Sequence, residues 1–268
     1  MNNRTWNAYL TAGCIVAGGL LVLTILGLFW TPHSVTGVSG AKFEAPSLAH
    51  LFGTDKLGRD IFSRVLRGLG TTLSIALATV IIGAVAGTLT GAVTGYYGGA
   101  VDEILMRVND ALTAFPSILL ALVVISLLGP ENKLNLVLAL GLVFIPSFAR
   151  VMRASFASLR DVNYITSARL MGASDGRILL IHMLPNTARV LLPALTIGFN
   201  NAVLAEASMS FLRITPLETS LGYMLSESQG MFASAPWYAI ATGGAIALLV
   251  FGVGLIGEGL QKLGKEAD

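Results

Sequence analysis

Leu69-Gly-Thr-Thr-Leu-Ser-Ile-Ala-Leu-Ala-Thr-Val-Ile-Ile-Gly83-Ala-Val-Ala-Gly87-Thr-Leu-Thr-Gly91-Ala-Val-Thr-Gly95 contains no charged side chain. At about 1.5 Å per residue, a helix of this length exceeds the ~30 Å hydrocarbon thickness of a bilayer. Gly83, Gly87, Gly91 and Gly95 recur every fourth residue. On a helix they form one groove without side chains, which another backbone can approach closely. The groove serves either static packing or a moving interface, and both require a bundle of several helices rather than a lone anchor.

Other charge-poor intervals lie on both sides of this stretch. Trp6–Phe29 precedes it, longer than the ~7–15-residue apolar region of a cleaved signal, so an uncleaved anchor is expected. After it come Ile104–Leu128 with Asp110 and Pro116 in its first half, a short interval Leu134–Phe148, Val190–Leu212 with Glu206 inside, and Trp237–Gly257. Six membrane spans are therefore predicted. Composition agrees: of 268 residues 54% are hydrophobic and 12% charged, and mean hydropathy is +0.75. A soluble domain carries about 25% charged residues, so a water-soluble enzyme is excluded. The 30 glycines suit close helix packing. The single cysteine, Cys14, excludes an intrachain disulfide and a multi-cysteine metal site, and reads as a small buried hydrophobe.

Arginine placement orients the chain. Arg150, Arg153, Arg160, Arg169, Arg177 and Arg189 outnumber Asp161 and Asp175 between the fourth and fifth spans. Positive charge marks that segment as cytoplasmic. Six spans then place both termini inside, where Arg4, Lys262 and Lys265 fit. The segment after the first span runs against the rule with Lys42, Lys56, Arg59, Arg64 and Arg67, offset by Glu44, Asp55 and Asp60. Within it, Ile61, Phe62, Val65 and Leu66 at helical spacing predict an amphipathic helix at the membrane interface. A second long outer loop, Arg213 to Pro236, carries Pro216 and Pro236 as breakers.

Few residues offer chemistry. Glu206, after Asn200 and Asn201, is an ionisable group at membrane depth. Such a group either lines a water-filled path or pairs with a cation, here Arg213. Asp110 and Arg107 read as a structural pair. His33, His50 and His182 lie on different loops without metal-ligand spacing, so no catalytic metal is expected. The run Gly259 to Glu266 approximates a phosphate-binding loop but lacks the Ser/Thr that holds magnesium. This chain is not expected to hydrolyse ATP. The segment from Arg150 to Asn186 is longer than a simple connection needs. Ala168, Leu170 and Met171 on one side of Gly172, and Ile178, Leu179 and Ile181 on the other, describe two short helices forming a compact knob, or an ordinary amphipathic surface loop.

Tyr164-Ile-Thr-Ser-Ala168-Arg169-Leu-Met-Gly172-Ala-Ser174-Asp175, followed by His182-Met-Leu184-Pro185-Asn186, resembles the Glu-Ala-Ala loop of ABC-importer permeases. Gly53-Thr54-Asp55-Lys56-Leu57-Gly58-Arg59-Asp60 resembles the N-terminal signature of the dipeptide/oligopeptide/nickel permeases, the C-type member of their permease pair. Gly95-Tyr96-Tyr97-Gly98-Gly99, Ala114-Phe115-Pro116-Ser117, Leu204-Ala205-Glu206-Ala207 with Ser210-Phe211-Leu212, and Ser234-Ala235-Pro236-Trp237 extend the likeness in the family's order. Two departures stand out. Thr166-Ser167-Ala168 replaces Glu-Ala-Ala, and the turn after Leu212 is short and lacks the usual tryptophan.

The resemblance implies an all-α membrane protein with six transmembrane helices in the type I ABC-importer permease fold. Residues 1–68 would form a first helix plus an extracytoplasmic segment, and 69–268 a five-helix core holding the coupling loop 150–189. It implies that Thr166, Ser167, Ala168, Arg169, Gly172, Ala173, Ser174, Leu184, Pro185 and Asn186 contact an ATPase. Asn200, Asn201 and Glu206 would then line the translocation path. The implied setting is the bacterial inner membrane, in contact with lipid and not with nucleic acid. The implied partners are a homologous permease, two ABC ATPase subunits that bind ATP and Mg, and an extracytoplasmic binding protein. This chain itself would bind no cofactor and act as no enzyme. Di- or oligopeptides are the first expectation for substrate and nickel or another metal chelate the second. A receptor or anchor without transport is the alternative from another class. An intramembrane enzyme would need a paired nucleophile and base at membrane depth, and the sequence offers none.

Overall fold

The structure, a computed structural model, describes residues 8–130, 132–215 and 219–265. Ten α-helices account for almost all regular structure in these residues: α1 (Ala8–Phe29), α2 (Ile61–Tyr97), α3 (Gly99–Thr113), α4 (Ser117–Leu128), α5 (Lys133–Leu159), α6 (Asn163–Leu170), α7 (Asp175–Arg177), α8 (Leu184–Phe211), α9 (Leu221–Gln229) and α10 (Pro236–Lys265). A π-helical turn, Ile178–Met183, joins α7 to α8 without a break. Five of the helical runs are long and apolar enough to cross a membrane, and a sixth if the bent pair α3–α4 counts as one.

The α2–α5 pair forms the centre, and the glycine groove is the reason. A Cβ on Gly83 would stand 2.8 Å from the Cβ of Phe144, and one on Gly91 would stand 2.7 Å from both the Ala149 carbonyl and the Arg153 amide. At Gly95 the Arg153 carbonyl would be 2.6 Å away. These are contacts with backbone atoms and a Cβ, none of which can rotate aside, so α5 lies in the groove over four successive turns. Gly87→Leu is expected to prevent this packing and to remove the folded protein from membranes. Detergent-resistant yield and protease resistance measure the loss, and a normally folded variant would refute the groove's role.

Local sequence sets where the helices begin and end. The Asp60 carboxylate accepts from the Ser63 amide at 2.7 Å, so α2 starts at Ile61 rather than at Leu69. Asn132 caps α5 through the Leu134 amide at 2.9 Å, and Ser220 caps α9 through Tyr223 at 3.2 Å. The Ile61–Leu66 stretch is therefore not an interfacial helix. Ile61, Arg64, Val65 and Leu66 are buried in the first turns of α2. The predicted third span is also corrected. It breaks at Thr113–Pro116, and α3 and α4 meet at 92°. Pro116 disfavours helical geometry in the residue before it. The charged Asp102, Glu103, Arg107 and Asp110 hold α3 away from the apolar direction that α4 takes. The short fourth interval gains length: α5 continues past Phe148, so Arg150 and Arg153 are helical rather than loop residues.

Around this centre α1 packs along α10, and α8 lies among α2, α5 and α10. One apolar core joins Val65, Leu69, Val80, Phe199, Val203, Met224, Tyr238 and Leu249. A second joins Ile75, Ile125, Leu136, Leu140 and Met209 beneath α4. Cys14 is exposed, contrary to expectation, because α1 buries only the stripe Gly13, Leu20, Thr24 and Gly27. Trp6, where the first span was expected to start, and Pro216 lie outside the described residues.

Candidate functional site

At one end of the bundle α6 and the π turn build the knob. Ile165, Ile178 and Met183 bury themselves against Tyr96, Met152 and Phe156. Each such side chain contributes roughly 1.5–3 kcal/mol of burial, so the knob is seated on α2 and α5 rather than hanging free. Gly172 ends α6 with φ +84°, in the left-handed region. The Gly172 amide donates to the Arg169 carbonyl at 3.0 Å and the Ala173 amide to the Ala168 carbonyl at 3.1 Å. These two bonds make a Schellman cap, which needs a residue free to take positive φ.

A second fastening ties the knob to α2. The Tyr96 hydroxyl donates to Asp175 Oδ1 at 2.7 Å and the Tyr97 hydroxyl to Oδ2 at 3.1 Å. The Arg169 guanidinium sits over the Tyr96 ring, 5.5 Å from its centroid. Beside them Arg153 pairs with Asp102, joining α5 to α3. The α6 face turned away from the bundle ends in Leu170 and Met171, 84% and 83% exposed. Sequence reading placed these two in the knob without assigning them a role. Their signal is an apolar pair at a helix end, where a solvated helix would carry polar residues.

The expected coupling residues divide by direction. Thr166, Ser167, Arg169, Ser174, Pro185 and Asn186 are exposed, Ala173 and Leu184 half-buried. Ala168 is buried inside this chain, so its small size serves internal packing. Pro185 lies just after the π turn, whose widened ring is closed by the Leu184 amide on the Leu179 carbonyl. Such a turn accommodates a proline that can neither donate nor tolerate a close carbonyl one turn back.

Towards the far end of the same helical run a cleft of about 350 Å³ opens between α4, α5 and α8. Ser117, Ser147, Asn201 and Ser208 line it beside Leu140, Phe144 and Met209. Of the three residues expected on the path, Asn201 is there. Asn200 is turned towards α10, with its Nδ2 beside Gly254. Glu206 is fully buried and accepts from the Ser210 hydroxyl at 2.7 Å. It does not pair with Arg213, which lies over the Tyr223 ring and donates to the Ser226 hydroxyl. Nor does Asp110 pair with Arg107. Arg150 holds Asp110 at 3.3 Å, and Arg107 takes Glu103 one turn away.

At the opposite end a buried charge network fastens the signature segment to α9 and α10. Asp55 Oδ1 accepts from the amides of Leu57 and Arg59 at 2.8 and 3.0 Å. Its Oδ2 accepts from Arg59 Nε at 2.6 Å and Arg64 Nη1 at 2.7 Å. Arg64 is 1% exposed and continues to the Tyr238 hydroxyl at 2.8 Å and Glu227 Oε2 at 2.7 Å. Burial alone would raise the Glu227 carboxyl, but Arg64 and Arg59 hold it below the ordinary carboxylate range. Two of the cations that ran against the charge rule, Arg59 and Arg64, are therefore paired with carboxylates of the same chain, while Lys42, Lys56 and Arg67 remain exposed.

A bundle of membrane-length helices, a rigid knob at one end and a polar cleft in its flank define a polytopic membrane protein built to pass something through itself. The family described as "Binding-protein-dependent transport system inner membrane component" matches residues 83–263. The glutathione transport system permease protein GsiD of Pectobacterium atrosepticum is 37% identical over 96% of this chain and 88% of its own length. The dipeptide transport system permease protein DppC of Alkalihalophilus pseudofirmus is 35% identical over 95% and 84%. A solved chain of the MetNI methionine ABC transporter, in inward-facing form, shares the fold with TM-score 0.59 at 20% identity, covering 76% of this chain and 96% of that one. The chain belongs to the family of inner-membrane components of binding-protein-dependent transport systems, in its peptide/nickel branch. It is a multi-pass permease of an ATP-driven importer, not an enzyme, and works as part of a larger assembly.

Proposed function

We propose that this permease forms half of an import path for di- and oligopeptides or peptide-like thiols such as glutathione. A homologous second permease covers the cleft lined by Ser117, Ser147, Asn201 and Ser208. That cleft carries the reading: hydroxyls and an amide at membrane depth match the amide groups of a peptide better than a lipid tail. Two ATPase subunits, holding ATP and Mg, receive the α6 knob of each permease, and an extracytoplasmic binding protein delivers substrate at the opposite end. Both termini lie on the cytoplasmic side with the knob in this reading, which the arginine distribution supports. Glu206 has a fastening role in this reading, since Ser210 and the nearby hydroxyls of Thr72 and Ser220 surround it. The names of the relatives support the substrate class.

The test is reconstitution with the partner subunits and binding protein encoded alongside. Dipeptides or glutathione should stimulate ATP hydrolysis and accumulate inside vesicles. Stimulation by nickel chelates instead, with no response to peptides, would overturn the substrate assignment while leaving the permease intact.

A further inference from the structure

We propose that His33, His50 and Asp60 form a binding site for a divalent transition metal at the end of the bundle opposite the knob. Two of the three histidines that are scattered in sequence, His33 and His50, meet in space. Their rings lie 4.6 Å apart, tilted by 37°. One nitrogen of each ring and one oxygen of Asp60 all fall within 4.8 Å of one another. His50 and Asp60 are buried and His33 is half-buried, so the three ligands converge with one side open to water.

Existing hydrogen bonds set the tautomer of one ring and pair the other with the carboxylate. His33 Nε2 stands 2.9 Å from the Ala49 carbonyl. A carbonyl only accepts, so Nε2 carries the proton and the lone pair of His33 is on Nδ1. His50 Nδ1 lies 2.9 Å from Asp60 Oδ1. A metal ion can replace the proton between them, which moves to His50 Nε2, where Glu44 Oε2 waits at 3.8 Å. That completes a carboxylate–histidine–metal relay of the kind that fixes ring orientation and raises ligand basicity. Asp60 keeps its capping bond through the other oxygen, since Oδ2 accepts from the Ser63 amide.

A tetrahedral ion about 2.1 Å from each ligand holds them about 3.4 Å apart, so the widest separation closes by at most about 1.5 Å while His50 Nδ1 and Asp60 Oδ1, now 2.9 Å apart, open by about 0.5 Å. His33 can supply this movement. It sits on the irregular segment between α1 and α2, tied down through its amide to the Ser63 hydroxyl at 3.1 Å. Two imidazoles and one carboxylate select Zn²⁺, Co²⁺ or Ni²⁺ over Mg²⁺ and Ca²⁺. Binding would staple this segment to the first turn of α2.

Equilibrium dialysis of the chelator-stripped full-length protein in detergent tests the site. One Zn²⁺ or Co²⁺ per chain is expected, with the visible absorption of low-symmetry Co²⁺ and no competition from Mg²⁺. His33→Gln and His50→Gln should each weaken binding at least roughly tenfold, and Zn²⁺ should raise the melting temperature of the wild type but not of these variants. His182→Gln, near the knob, should bind as the wild type does. Should His50→Gln not fold, His33→Gln decides, because its ring bonds only an exposed carbonyl. Absence of stoichiometric metal on the wild type, or wild-type affinity in His33→Gln, overturns the proposal.

Discussion

Arg64→Met is expected to destabilise the protein by about 3–5 kcal/mol, the usual effect of removing one partner from a buried charge cluster. Methionine matches the arginine stem but leaves Glu227 Oε2 without a guanidinium donor and Asp55 Oδ2 with Arg59 alone. Arg59 cannot replace it, since its Nε and Nη2 already serve Asp55 and Glu227 Oε1. The segment containing Asp55 should then detach from α9 and α10, and the loss should show as lower yield and earlier melting. Arg59→Met, at the half-open edge of the network, should lose less. The double variant Arg64→Met with Glu227→Gln should recover part of the loss, because one stranded charge disappears with its partner. Wild-type melting of Arg64→Met would show that the network does not hold this end together.

Gly172→Leu should leave the protein folded in the membrane and abolish transport. The reason is backbone and not crowding: nothing stands within 4 Å of the position a Cβ would occupy. A leucine held at φ +84° costs roughly 1–3 kcal/mol, enough to offset the two cap bonds at about 0.5–1.5 kcal/mol each. The cap therefore opens, and Ala173 to Asp175 leave the positions that Tyr96 and Tyr97 hold. Gly172→Asn is the control, because asparagine accepts the left-handed region readily. It should retain the co-purifying ATPase subunits and substrate-stimulated ATP hydrolysis, whereas the leucine variant should lose both. Full coupling in Gly172→Leu would remove the knob from its assigned role.

Much of this architecture is legible in residue order, and the exceptions share a cause. The uncharged run with Gly83, Gly87, Gly91 and Gly95 announces both a span and its close neighbour, because periodicity is a property of the chain alone. The knob's break at Gly172 is legible for the same reason. What escapes is pairing across distance. Asp110 looks made for Arg107 in sequence, yet the bend at Thr113–Pro116 turns it towards Arg150. Glu206 looks like a path residue until its helix rotation is known, and one residue's rotation separates it from the cleft-lining Ala205. The start of α2 was displaced because Arg59, Arg64 and Arg67 look like the edge of a membrane. Nothing local reveals that Glu227, far along the chain, pairs with two of those charges.

The helical run from Asp175 through the π turn to Phe211 has 37 residues, about 55 Å of rod. It begins at the residue that Tyr96 and Tyr97 grip and passes the cleft at Asn201. A tilt of about 5° about its knob end would carry Asn201, some 39 Å along at 1.5 Å per residue, sideways by about 3 Å. That displacement is close to the width of a water molecule. If the proposed path runs through this cleft, modest rocking at the knob end suffices to open or close it to solvent.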